Sequence, residues 1–260
     1  MPILRVALLT FGFFLVATPA ALRLSGSKAP SPADHLRRFL TRARDLSRLV
    51  LSEGPAKAWS AIRYRVYSDS TSLGLRRDLS LPFDKPTAKI PITVRPLTPS
   101  DDLSALASEP DLPADEALSR LVQRRLLQSG LRVCYVAIAP DGKPCYMQWA
   151  IPASENHRVR GIFGNLYPAL APDEALLEGA YTPTAYRGKG IMGAAMAQVA
   201  ERAADYGARW VITFVDERNS ASVKGCVRAG FAPYLKRHER FRLFYRKIRF
   251  EPIEAPGEAS

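Results

Sequence analysis

The stretch Tyr181-Thr-Pro-Thr-Ala-Tyr-Arg-Gly-Lys-Gly-Ile-Met-Gly-Ala-Ala-Met196 governs how the rest of the chain is read. An extended run, Ala175 to Thr182, enters a glycine-rich turn that opens directly into a helix with apolar periodicity (Ile191, Met192, Ala195, Met196, Val199, Ala203). Glycines let successive N–H groups converge, and a helix N-terminus adds positive partial charge there. Arg187 and Lys189 add full charges. The turn therefore reads as an anion cradle. It is not a nucleotide P-loop, because no G-x-x-x-x-G-K-[ST] occurs.

Downstream, Trp210 to Val215 is a short apolar run, as expected of a strand buried on both faces. Asn219 to Ala229 predicts a short helix stopped at Gly230, and Phe231 to Lys236 and Phe241 to Phe250 predict closing strands. Upstream, Arg132 to Ala139 and Pro144 to Ile151 read as a hairpin around Asp141-Gly142. Pro113 to Ser129 reads as a helix, Ile92 to Arg95 as a strand, and Ser154 to Pro168 as a loop with one more strand. The predicted class is α/β (α+β): a mixed, mostly antiparallel sheet with helices on both faces.

The first 90 residues differ in character. Val6 to Leu22 is nearly uncharged and is followed by Arg23, Lys28, Arg37, Arg38, Arg42 and Arg44. A membrane anchor, a cleaved signal and a start of no structural consequence all fit that run. Leu36 to Leu51 and the segment carrying Trp59, Ile62, Val66 and Tyr67 predict basic amphipathic helices. These suit either a membrane surface or packing on the domain. The expected divisions are 1–25 hydrophobic, 26–88 basic helical extension and linker, 89–250 the main domain, and 251–260 a disordered tail.

The 260 residues carry a formal charge of +12. This draws the chain to anions without choosing among them. No nucleic-acid-reading motif accompanies the charge, so nucleic acid is not the expected partner. Cys134, Cys145 and Cys226 form no CxxC pair, and three scattered histidines give no metal spacing. The expected compartment is cytoplasmic, with attachment to the cytoplasmic face of the membrane through residues 6–22 as one option.

The element order resembles that of the GNAT superfamily of acyl-CoA-dependent N-acyltransferases, and two segments match its motifs. Arg187-Gly-Lys-Gly190-Ile-Met192 follows the family's pyrophosphate loop, with Met192 where Gly or Ala is usual and Gly193 one step later. Asn219-Ser-Ala-Ser222 leading to Gly230-Phe231 looks like the family's Asn-x-x-Ala/Ser helix. The resemblance covers Ile92 to about Phe250. It implies acetyl-CoA or another acyl-CoA as co-substrate, without a metal, and an amine-bearing acceptor. The implied cofactor contacts are Tyr181, Thr182, Arg187, Gly188, Lys189, Gly190, Ile191, Met192, Gly193, Asn219 and Ser222. It also implies that the strand before the turn splays from Trp210–Val215 to admit pantetheine.

Acyl transfer to an amine needs a base, an oxyanion donor and a leaving thiolate. Glu178 is the candidate base, sharing strand parity with Ala180 and Thr182, and Glu174 is the fallback. Cys226 stands where the family often has a Tyr acid, and Tyr181 and Tyr234 are alternative donors. Gln148 and Trp149 could line the acceptor side. The contrasting reading is a non-catalytic acyl-CoA-binding or interaction module at the membrane.

Overall fold

A computed structural model describes residues 55–253, apart from residues 108 and 110. The run 6–22, the basic helix expected over 36–51 and the tail from 254 onward lie outside the described residues. Helix α1 (Pro55–Val66) runs straight into strand β1 (Tyr67–Asp78). There follow β2 (Thr93–Pro96), α2 (Ala114–Gln128), β3 (Cys134–Ile138), β4 (Pro144–Pro152) and α3 (Asn156–Phe163). The chain continues with β5 (Glu174–Tyr181), α4 (Ile191–Arg202), β6 (Trp210–Asp216), α5 (Ser220–Arg228), β7 (Ala232–Arg242) and β8 (Tyr245–Pro252).

These strands form one eight-stranded sheet in the order β2-β3-β4-β5-β6-β1-β7-β8. Every neighbouring pair is antiparallel except β5 and β6, which are parallel. Its two faces carry separate cores. Ile191, Met196 and Val199 of α4 and Cys226 of α5 pack with Tyr146, Leu177 and Val211 on one face. Val122 and Leu126 of α2 and Val159 and Phe163 of α3 pack with Trp149, Leu176 and Ile212 on the other.

The expected helical extension over 26–88 is corrected at β1. Residues 67–78 are a strand inside the sheet, paired with β6 on one side and β7 on the other. Its alternation is polar against apolar, but both sides are covered. Ser70 and Ser72 lie buried on one side, and Leu75 and Arg77 on the other. Buried Arg77 donates to the carbonyls of Ala197 (3.1 Å) and Ala229 (3.2 Å), tying α4 and α5 to the sheet. Two smaller expectations also change. Residues 156–163 form α3 rather than a strand, and Glu251 and Pro252 belong to β8 rather than to a disordered tail.

From β1 the chain crosses the α4/α5 face as an extended strap. Phe83 lies under the Arg77 guanidinium (4.3 Å), and Phe83, Ala88 and Ile90 pack on the α4/α5 core. The strap then meets the glycine turn, where the Lys89 amide donates to the Lys189 carbonyl at 2.8 Å.

Candidate functional site

The site forms where β5 and β6 part. Parallel pairing covers Glu174↔Trp210, Ala175↔Val211 and Leu176↔Ile212, then stops. At the fork the Thr213 hydroxyl donates to the Leu177 carbonyl at 3.0 Å. On its other edge β5 bulges: Met147 faces Tyr181 and Trp149 faces Glu178, so Gly179 and Ala180 together oppose Gln148. Gly179 has φ +68, and a Cβ there would stand 2.6 Å from Leu126 Cδ1 and 2.9 Å from Trp149 Cε3. Only glycine fits this position.

The bulge corrects the parity expected of Glu178. Met147 and Trp149 share a face, so their partners Tyr181 and Glu178 do too. The extra residue breaks the two-residue alternation, and Glu178 does not share a side with Ala180 and Thr182. Trp149 is core beneath the bulge. Gln148 points to the opposite face, fully buried, where its Oε1 accepts from the Tyr146 hydroxyl at 2.8 Å. Its Nε2 has no acceptor among the described residues.

Beyond β5 the chain makes a one-turn helix, Thr184–Tyr186, then the glycine turn. Gly188 and Gly190 have φ +74 and +73, and Gly190 is the left-handed N-cap of α4. Among the described residues the amides of Gly188, Lys189, Gly190, Ile191, Met192 and Gly193 find no acceptor. Six donors at a helix start suit an anionic group such as a pyrophosphate. The Met192 side chain turns aside onto Gly225 of α5, where a Cβ would stand 2.8 Å from its Sδ. Gly193 likewise faces α5. Ile191 is core, and Lys189 lies 5.1 Å from the Tyr186 ring.

Arg187 does not extend freely into the cradle. Its Nε donates to the Thr182 carbonyl at 3.1 Å, and its Nη2 donates to Glu116 of α2. Buried Glu116 also accepts from the Tyr181 hydroxyl at 2.6 Å and from Arg120 Nε at 3.0 Å. Burial would raise its carboxyl. The bonds from Tyr181 and Arg120 and the Arg187 charge outweigh this and hold it below the usual range. Tyr181 is thus a brace between β5 and α2. Sequence reasoning missed Glu116, since an acid in a helix's first turn reads as ordinary dipole compensation.

Glu178 meets a residue from the segment expected to be loop. The Tyr167 hydroxyl donates to Glu178 Oε2 at 2.5 Å. Burial pushes the Glu178 carboxyl up, against the Tyr167 bond and the charge of Arg237. Glu174, the fallback, accepts from the Ala171 amide at 2.9 Å near the start of β5. Cys226 is 1% exposed in the α4/α5 core, and burial pushes its thiol up to about 12. Asn219 caps α5, its Oδ1 accepting from the Ser222 amide at 3.1 Å, and Ser222 is half-buried in the first turn. Tyr234 lies with Trp210 around Arg76, at the end of β6 away from the fork.

A family model for the acetyltransferase (GNAT) domain matches residues 92–232, more than half of the chain. The chain belongs to the GNAT family, whose members use acetyl-CoA as co-substrate. No curated protein matches it. Among solved structures it is similar to a GNAT-family acetyltransferase from Colwellia psychrerythraea, at 16% identity and TM-score 0.41. That match covers 77% of this chain and 63% of the other, so the chain spans under two thirds of that relative's length. A putative GNAT acetyltransferase from Novosphingobium aromaticivorans is 19% identical with TM-score 0.42, over 73% of this chain and 68% of that one. A functionally unknown conserved protein from Staphylococcus epidermidis is 13% identical with TM-score 0.45, over 83% and 82%.

The residues present fit acetyl-CoA: a cradle of unbonded amides, a fork beside it and a buried amide donor on Gln148 without a partner. Among the described residues no group of His, Cys, Asp and Glu could hold a metal ion. No helix there is long and apolar enough to cross a membrane.

Proposed function

We propose that the protein transfers an acetyl or longer acyl group from CoA to a primary amine within a ternary complex. The observation that carries this reading is Glu178, a half-buried carboxyl at the bulge where β5 leaves β6, on the strand that leads into the glycine turn. In this reading the amides of Gly188 to Gly193 hold the pyrophosphate, and pantetheine lies in the fork along Tyr181 and Thr182. The amine nitrogen attacks the thioester carbonyl while Glu178 takes its proton. The C–S bond then breaks and the CoA thiolate leaves, gaining a proton to become the free thiol.

A thiol pushed to about 12 is a weaker acid than an ordinary cysteine, so Cys226 is a poor match for protonating that thiolate. We assign Cys226 to packing and leave the thiolate to solvent. Release of free CoA from acetyl-CoA, across a panel of primary amines, tests the function. Turnover by the native protein and a loss of about 10²–10⁴-fold in Glu178→Gln would support it. Tight acetyl-CoA binding with no turnover on any amine would favour the binding-module reading.

A further inference from the structure

The face that carries Glu178 runs past Ile212 and Phe214 of β6 to a buried polar strip on β1 and β7. Ser70 and Ser72 of β1 lie opposite Glu239 and Arg237 of β7, and all four are buried. Arg237 is 9% exposed, yet its guanidinium is clamped. Nη2 donates to the Ser72 hydroxyl at 2.9 Å, and Nη1 to the Leu166 carbonyl at 3.4 Å. Its centre lies 5.0 Å from the Phe214 ring and 5.5 Å from the Tyr167 ring. Tyr167, whose hydroxyl binds Glu178, therefore stands between a carboxylate and a buried cation.

Other charged groups share this face: Asp216 of β6, opposite Ser72, is held by Arg218 at 2.6 Å, and Glu239 has further partners besides Arg237. Glu239 lies 3.7 Å from Arg246 of β8 and 3.5 Å from the Tyr64 hydroxyl of α1. Towards α2, Tyr181, Arg120 and Arg187 all engage Glu116. Glu174, on the same side of β5, is turned to the Ala171 amide. Arg237 therefore acts on two carboxyls, Glu239 on its own strand and Glu178 across the sheet, and it is the cation that faces Glu178 from the β7 side. A carboxyl taken out of water without a cation stays protonated, and a protonated acid cannot accept a proton from an amine.

We propose that Arg237 and Tyr167 are positioning residues for the Glu178 base. Arg237 supplies charge that eases ionisation of Glu178, and Tyr167 occupies Oε2 so that Oε1 is presented to the amine. The inference rests on Glu178 being the base, but its electrostatic half can be measured without turnover.

The experiment follows the Glu178 carboxyl by carbon NMR in full-length protein labelled at glutamate Cδ, assigned with Glu178→Gln. The pH profile of CoA release is measured in parallel. Arg237→Gln is expected to raise the Glu178 midpoint by about one pH unit or more, with the acid limb of kcat/KM moving equally. The rate would fall about tenfold on that limb and recover at high pH. Arg237→Lys should restore most of the shift, and Tyr167→Phe should give one at least as large in the same direction. If Arg237→Gln does not fold, Arg237→Lys and Tyr167→Phe carry the test. An unchanged midpoint, or a rate lowered equally at every pH, overturns the proposal. A moved midpoint in a protein without turnover upholds the pairing and counts against the proposed reaction alone.

Discussion

Glu116 holds Arg187 across 71 residues of sequence, joining the first turn of α2 to the glycine turn before α4. The same carboxylate takes the Tyr181 hydroxyl and Arg120, so one buried charge fixes the end of β5 and the entrance to the cradle together. Amides bind an anion best when they are preorganised, and this pair braces the segment that leads into the turn.

Replacing Glu116 with Gln removes that charge and leaves Arg187, which is half-exposed, to water. After discounting for this exposure, the expected destabilisation is about 1–2 kcal/mol. Kd for acetyl-CoA should rise by roughly tenfold, equivalent to about 1.4 kcal/mol, as the turn loosens. Thermal unfolding and calorimetric titration measure the two effects. Unchanged affinity would show that the ion pair is structural only.

The two glutamates respond to pH in opposite senses. Glu116 is held below its ordinary value, so its stabilisation is present above the usual glutamate range and is lost as pH falls through its lowered value. Glu178 is raised, so its contribution is fully present below the usual glutamate range and is lost as pH rises through its raised value. Glu178→Gln removes a costly buried charge but also deprives Arg237 and Tyr167 of a partner, so it should cost less stability at pH 7 than Glu116→Gln while removing turnover. Denaturant unfolding of both variants at pH 4 and pH 7 checks this. A Glu178→Gln loss at pH 7 as large as that of Glu116→Gln would contradict the burial argument.

The turn between β7 and β8 has two residues with left-handed backbone, Leu243 (φ 46) and Phe244 (φ 67). Their amides donate to the Val66 and Arg65 carbonyls at 2.8 Å each, capping the end of α1. Asn-Gly adopts such a turn with less strain than Leu-Phe. The double change Leu243→Asn with Phe244→Gly should raise stability by about 1 kcal/mol, read as a higher melting temperature. A lower value would mean that Phe244 packing outweighs the strain.

A chain cut to residues 89–251 should not fold. The cut removes β1 and exposes unpaired edges of both β6 and β7, together with the site of fully buried Leu75. Loss of a cooperative thermal transition would bear this out. A folded fragment would show that β1 is dispensable.

That prediction marks where the sequence stopped being legible. Elements with strong local signals were readable: the hairpin at Asp141-Gly142, the α2 stripe and the turn from Arg187 into α4. β1 was not, because its buried serines face Arg237 and Glu239 rather than an apolar core, so its pattern mimics a solvated segment. Glu178 was singled out as a candidate base, but its orientation was misread, since a bulge at Gly179 depends on Leu126 and Trp149 arriving from other elements. Glu116, Tyr167 and Arg237 left no local signal, because each acts through a partner far away in sequence.

The most direct test of the account is calorimetric titration of acetyl-CoA into the full-length protein and into Gly190→Val. Gly190 has φ +73 at the helix entrance, and a Cβ there would lie 3.7 Å from the Thr87 carbonyl oxygen. A β-branched residue would therefore distort the cradle. Saturable binding by the native chain, lost in a folded Gly190→Val variant, is the predicted result. A folded native chain that binds neither acetyl-CoA nor free CoA would contradict the account.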